Sequence, residues 1–169
     1  MTLAEVLITD FEGEAGNTRN VLAAVPGDRL EWRPHEKSKS LGELAGHIAE
    51  APGWTKTILG ADLDFAVADR GYVPFVPTGS ADLMRAFADG LDEFKDLVRG
   101  RDDSYLNQVW TMRHADKILM QAPRHVALRS TTIHHPIHHR GQLTVYLRLL
   151  DIPVPGTYGP TADHSNMFS

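Results

Sequence analysis

Cysteine is absent from the 169 residues. That excludes disulfides, thiolate metal ligands and a cysteine nucleophile, and it is compatible with a reducing cytoplasm. Long hydrophobic runs are absent as well; no stretch approaches the roughly 18 apolar residues that a membrane-spanning helix needs. The chain also lacks a basic excess. With 17 Lys and Arg against 22 Asp and Glu, and a net charge of −5, it carries no electrostatic footprint for nucleic acid. A secretory signal would need a basic start and an apolar middle, whereas Met1 to Glu14 reads as apolar-periodic, with Glu5, Asp10, Glu12 and Glu14 interspersed. The expected location is therefore cytoplasmic. Neither a fixed-period repeat nor a low-complexity tract is present.

What remains is globular in composition, at 42% hydrophobic and 23% charged residues, with a mean hydropathy of −0.26. The length suits one domain over 1–169, long enough to bury about 68–70% of its unfolded surface. Histidine is the residue in excess: nine are present, four of them between His134 and His139.

Apolar periodicity predicts four helices. The first runs from about Thr2 to Val25, with Leu3, Val6, Leu7, Phe11, Thr18, Val21, Leu22 and Val25 on one face. Pro26-Gly27-Asp28 ends it. A polar connection over 26–39 holds Trp32, Pro34 and His35. Ser40-Leu41-Gly42-Glu43 then forms a capping box that opens the second helix. Its stripe of Leu41, Leu44, Ile48, Ala51, Thr55 and Ile58 is expected to kink at Pro52-Gly53. Residues 60–79 read as a loop.

Ser80 is the expected N-cap of a third helix carrying Leu83, Phe87, Leu91, Phe94 and Val98, with Gly100 at its end. Val109 to Met112 and Lys117 to Met120 read as a small β-hairpin around His114-Ala115-Asp116. Pro123 suits the first position of a fourth helix reaching about Leu150, and the tail over 151–169 shows no period. Four amphipathic helices around one core predict an all-α four-helix bundle with that hairpin between helices 3 and 4. The fourth helix is apolar on a second face as well, through Val126, Ile133 and Ile137. That points to burial on two sides, or to a homodimer with isologous packing.

His135 and His139 are four residues apart, which puts both rings on one helical face, close enough to share a metal ion. His134 and His138 have the same spacing, so spacing alone offers two pairs. The first has the better neighbours, because Gln142 and Tyr146 extend its line and can orient ligands or substrates. A third ligand must come from another helix, and His47, on the inward face of the second, is the best candidate. A lone histidine on an apolar stripe is by default a core residue bonded to a carbonyl; opposite a His-x-x-x-His pair it reads as a ligand. A di-iron bundle site would need Glu-x-x-His on two helices, and the His-Glu-x-x-His protease motif is missing. Trp32, His35 and Trp54 are further candidates for a pocket. Arg140 points away from the histidines and reads as a structural partner of an acidic side chain. Pro136, between the two histidines, removes a backbone N–H and crowds the carbonyl of Thr132, so the helix is expected to bend or open there.

The segment His135-Pro136-Ile137-His138-His139-Arg140-Gly141-Gln142 resembles the His-x-x-x-His-Arg-Gly-Gln run of the DinB superfamily, which includes YfiT-like proteins. Leu30 to His35, Ser40 to Trp54 and Val154 to Pro160 resemble other stretches of that family. The resemblance implies an up-down-down-up bundle, commonly dimeric, with a metal triad at His47, His135 and His139. Relatives with known activity are thiol-dependent, among them bacillithiol and mycothiol S-transferases and a mycothiol-dependent maleylpyruvate isomerase.

Three histidines suit Zn or Ni and leave a coordination position open. The resemblance to thiol-dependent relatives implies a low-molecular-weight thiol, which would have to arrive as cosubstrate because the chain has none. The expected function is a metal-dependent, thiol-dependent S-transferase or related group transfer on a small-molecule substrate, with no nucleic-acid or membrane partner. The alternatives are a hydrolase using metal-bound hydroxide and a non-catalytic, metal-binding stress-response module.

Overall fold

The computed structural model describes residues 1–68 and 73–164. The first helix, α1 (Leu3–Ala23), starts at a capping box in which Thr2 and Glu5 satisfy each other's backbone N–H groups. A second capping box, Ser40 with Glu43, starts α2 (Leu41–Glu50). The connection before α2 is laid onto its first turn: Leu41 N–H donates to the Trp32 carbonyl and Gly42 N–H to the Leu30 carbonyl, both at 2.8 Å. A Cβ on Gly42 would stand 3.1 Å from Leu30, so that close approach favours glycine.

The expected kink is a 3-10 turn, Ala51–Gly53, after which α3 (Trp54–Ile58) completes the predicted second helix. The region expected as a loop over 60–79 contains two short elements, β1 (Leu63–Asp64) and α4 (Phe65–Ala68). Residues 69–72 of that region lie outside the described residues, as do 165–169 of the tail.

Helix α5 (Ser80–Arg99) corrects one expectation. Ser80 is its first residue and Gly79 occupies the cap position, with no side-chain cap. The entry is held instead by Asp82, whose carboxylate accepts the backbone N–H and the hydroxyl of Thr78. A short helix that the apolar pattern did not reveal, α6 (Asp103–Leu106), is capped by Asp102 accepting the Tyr105 N–H at 2.7 Å.

The hairpin exists as β2 (Val109–His114) and β3 (Lys117–Pro123), antiparallel around Ala115-Asp116. Ala115 adopts a left-handed φ of 50°, unfavourable for a side chain; its N–H is accepted by Asp64 at 3.0 Å. The sheet order is β1-β2-β3, with β1 parallel to β2. Beneath it Trp110 is fully buried and donates its indole N–H to the Ala61 carbonyl at 2.9 Å.

The predicted fourth helix is three segments: α7 (Arg124–Leu128), a π-helical stretch Arg129–His134, and α8 (His135–Leu149). Pro123 ends β3 and caps α7, so the helix starts at Arg124, one residue after the expected position. The helix opens ahead of Pro136, which sits in the first turn of α8, where a missing N–H costs least. Within the widened stretch the Thr131 and Thr132 hydroxyls donate to the Ala127 and Leu128 carbonyls at 2.7 and 2.6 Å.

The fold is thus mostly helical with one small three-stranded sheet. Helix α1 packs along α5 and α8, and α2 packs along the same two. At the centre Phe11 takes the rings of Phe87 and Phe94 edge-on at 6.0 and 4.8 Å. The second apolar face of the last helix is divided: Ile133 is buried and Ile137 packs on the core, whereas Val126 is exposed. Among the described residues no helix is long and apolar enough to cross a membrane.

Candidate metal centre

Helices α2 and α8 bring His47, His135 and His139 together. Their ring nitrogens lie within 4.8 Å of one another. His135 Nε2 is 2.8 Å from His47 Nε2 and 3.1 Å from His139 Nε2. Tetrahedral Zn–N bonds of about 2.0–2.1 Å would separate two such nitrogens by about 3.3 Å, and the two separations from His135 stand near that value. Pro136 leaves the pair intact, because the opening of the helix is confined to the turn before it.

The donor set has the chemistry a metal requires. His139 Nδ1 lies 2.8 Å from Gln142 Oε1, an acceptor, so the ring carries its proton on Nδ1 and offers a lone pair at Nε2. Gln142 is itself oriented, its amide nitrogen lying 3.2 Å from His138 Nε2. His47 Nδ1 faces Glu50 Oε1 at 3.6 Å. Partial burial of its ring, and then repulsion from His139, His47 and His138, push the His135 pKa down to about 4. The residue as a whole is exposed, but its ring nitrogen lies between two other imidazoles. Burial also lowers the pKa of His139, while Gln142 partly opposes the shift. Neutral imidazole is the metal-binding form. The three side chains therefore could hold a metal ion.

The other pair allowed by spacing is not assembled. His138 turns to Gln142, while His134 is exposed. Tyr146 stands beside the site, donating its hydroxyl to the Lys39 carbonyl at 3.3 Å and meeting Trp32 edge-on at 5.7 Å. His35 instead accepts the Lys37 N–H of its own turn, and Trp54 sets its ring against Phe65; neither ring joins the triad. Glu50 was missed in the sequence, although His47-x-x-Glu50 is a visible i, i+3 pair on the helix that bears the third histidine.

Arg140 faces the opposite way, into the protein. It is 2% exposed and donates to Glu14 Oε2 at 2.8 Å, to Thr18 Oγ1 at 3.0 Å and to the Glu14 carbonyl at 3.3 Å. Tyr158, from the tail, covers it at 5.1 Å and donates to the same carboxylate at 2.6 Å. Within the His-x-x-x-His-Arg-Gly-Gln run, the histidines and Gln142 thus build the centre while Arg140 ties α8 to α1.

Two cavities of about 450 Å³ each border the triad. One reaches His47 and Glu50 and is walled by the apolar segment Val73 to Pro77. The other reaches His139, Gln142 and Tyr146. Lys39 lines both.

The DinB family model matches residues 1–167. The uncharacterized protein YrdA of Bacillus subtilis (strain 168) is 25% identical over 156 residues, covering 92% of this chain and 88% of that protein. A DinB-like protein from Bacillus cereus ATCC 10987 superposes with a TM-score of 0.69 at 23% identity, over 91% of this chain and 97% of that one. The DinB-like protein YjoA of Bacillus subtilis gives a TM-score of 0.62 at 17% identity, over 95% and 99% of the two chains.

Proposed function

This chain belongs to the DinB family, and we propose that it binds one divalent metal ion, zinc or nickel, through Nε2 of His47, His135 and His139, and uses it in thiol-dependent group transfer. The observation that carries this reading is the convergence of three ring nitrogens from two helices within 4.8 Å, between two cavities. A divalent ion held by three histidines keeps a position open and lowers the pKa of a thiol or water bound there. Gln142 keeps the His139 proton on Nδ1, away from the ion. The two cavities give separate space to a low-molecular-weight thiol and to a small electrophile, the two reactants an S-transferase must hold together. Lys39, at the edge of both, supplies positive charge close to the triad.

On this reading the four long helices run up-down-down-up and the protein is a cytoplasmic homodimer. The acidic net charge supports a small-molecule partner over nucleic acid. The test is elemental analysis of protein purified without a histidine tag, wild type beside His139→Ala. About one zinc or nickel per chain, lost in the variant, supports the site and leads to screening thiols against electrophiles. Wild-type protein that takes up no metal on reconstitution overturns it. Metal without thiol-dependent turnover turns the reading towards hydrolysis or a non-catalytic module.

A further inference from the structure

We propose that Glu50 is a positioning residue, holding His47 in its metal-binding form and pinning to it the wall of the neighbouring cavity; the inference rests on the metal reading of the three histidines. Glu50 follows His47 by three residues on α2, which places both side chains on one face. Its two oxygens serve different partners. Oε1 stands 3.6 Å from His47 Nδ1, and Oε2 accepts the Phe75 N–H at 3.1 Å. The His47 and Glu50 side chains are 25% and 21% exposed, so both contacts are partly shielded from solvent.

At 3.6 Å the contact with His47 is electrostatic rather than a hydrogen bond. Its sign is nevertheless definite. A carboxylate facing Nδ1 favours the proton there and leaves the lone pair on Nε2, the nitrogen that faces His135. Gln142 does the same for His139, so two of the three rings have their proton directed away from the metal position. A charged partner on that side also favours one orientation of the ring.

The second oxygen reaches out of the centre. Phe75 belongs to the segment Val73 to Pro77 that walls the cavity on the His47 side. Pro74 and Pro77 have no N–H to offer, and Phe75 supplies the one that α2 accepts. The Phe75 carbonyl lies against Gly46, where an added Cβ would come within 2.6 Å of it. The wall is therefore fitted to α2 on both sides of one residue, and one of those sides is the carboxylate behind His47.

The substitution Glu50→Gln tests this, because both oxygens face donors and an amide must turn its NH2 towards one of them. Zinc affinity of the full-length, untagged chain is measured by competition with a chromophoric chelator. The His47 ring nitrogens and the Phe75 amide are followed by ¹⁵N NMR, with and without zinc. In the wild type, His47 is expected as the Nδ1–H tautomer, and zinc is expected to shift the Phe75 amide. In Glu50→Gln, affinity is expected to fall about tenfold or more, with a mixed His47 tautomer and a Phe75 amide that no longer responds. Glu50→Asp, with its charge kept and its reach shortened, is expected to recover part of the loss. A merely structural role would lower the melting temperature while leaving zinc affinity within about twofold and the His47 nitrogens unchanged. That result overturns the proposal alone, whereas a wild type that binds no zinc overturns the metal reading and the proposal together.

Discussion

Replacing Arg140 with methionine should damage the fold and spare the metal centre, although Arg140 adjoins His139 in sequence. The methionine keeps an unbranched stem in the buried space and deletes the guanidinium. Three donor contacts disappear, two to Glu14 and one to Thr18, together with the face offered to Tyr158. Removing one partner of a fully buried ion pair costs about 3–5 kcal/mol. The Glu14 side chain is 21% exposed, so it can recover some hydration, and Tyr158 still donates to it. The expected loss is therefore about 2–3 kcal/mol. For a domain of this size that corresponds to a melting temperature lowered by about 4–12 °C.

Thermal unfolding of the metal-free protein by circular dichroism reads this directly. A double-mutant cycle with Glu14→Gln should give a coupling energy of about 1–3 kcal/mol. Metal stoichiometry, measured on the same preparations, should equal that of the wild type. A stability change below about 0.5 kcal/mol, the range of an ordinary surface substitution, would refute the clamp. Loss of metal at unchanged stability would show that Arg140 serves the centre.

Two further outcomes are expected. The His135 pKa of about 4 lies below the ordinary 6.5, so the unfolded chain binds more protons between those values. Stability of the metal-free protein from this group should then be complete above pH 6.5 and fall as the pH drops towards 4. The loss should be about 1–2 kcal/mol once the open side of the ring and solvent screening are allowed for; a denaturation series in which His135→Ala shows the same acid loss as wild type would contradict this. Gly90→Ala should cost about 1–3 kcal/mol, because the new Cβ would stand 2.9 Å from Pro52 Cβ where α5 crosses the 3-10 turn. Equal denaturant midpoints for Gly90→Ala and wild type would rule out that close crossing.

Much of this architecture is local, and local features can be read from a sequence. The stripe of Leu83, Phe87, Leu91, Phe94 and Val98 specifies the buried face of α5, and all five are buried. Ser40 and Glu43 announce the start of α2 by an interaction confined to four residues. The hairpin follows from two β-prone runs about a short turn. His135 and His139 meet because a helical turn carries them to one side.

Much of what the sequence does not reveal depends on partners distant along the chain, and some of it on choices among near neighbours. The two residues of β1 have no period of their own and become a strand only because Met112 and Arg113 lie alongside. Ser80 has the right chemistry for a cap, yet Asp82 and Thr78 hold that helix entry by a neighbouring arrangement. Pro136 signals a disturbance, while the form it takes is set by packing: a π-helical stretch before the proline, with the histidines past it undisturbed. Trp54 and His35 are plausible pocket residues by type, but Trp54 opens α3 and sets its ring against Phe65, while His35 accepts the Lys37 N–H of its own turn.

The sequence by itself determined which residues could bind a metal and which helix faces they occupy, because both follow from side-chain chemistry and the helical repeat. Only the tertiary structure decided that His47 stands opposite His135 and His139 and that Arg140 turns to α1. Those contacts join residues up to 126 positions apart, and their geometry is fixed by how α1, α2 and α8 pack rather than by any pattern within one helix.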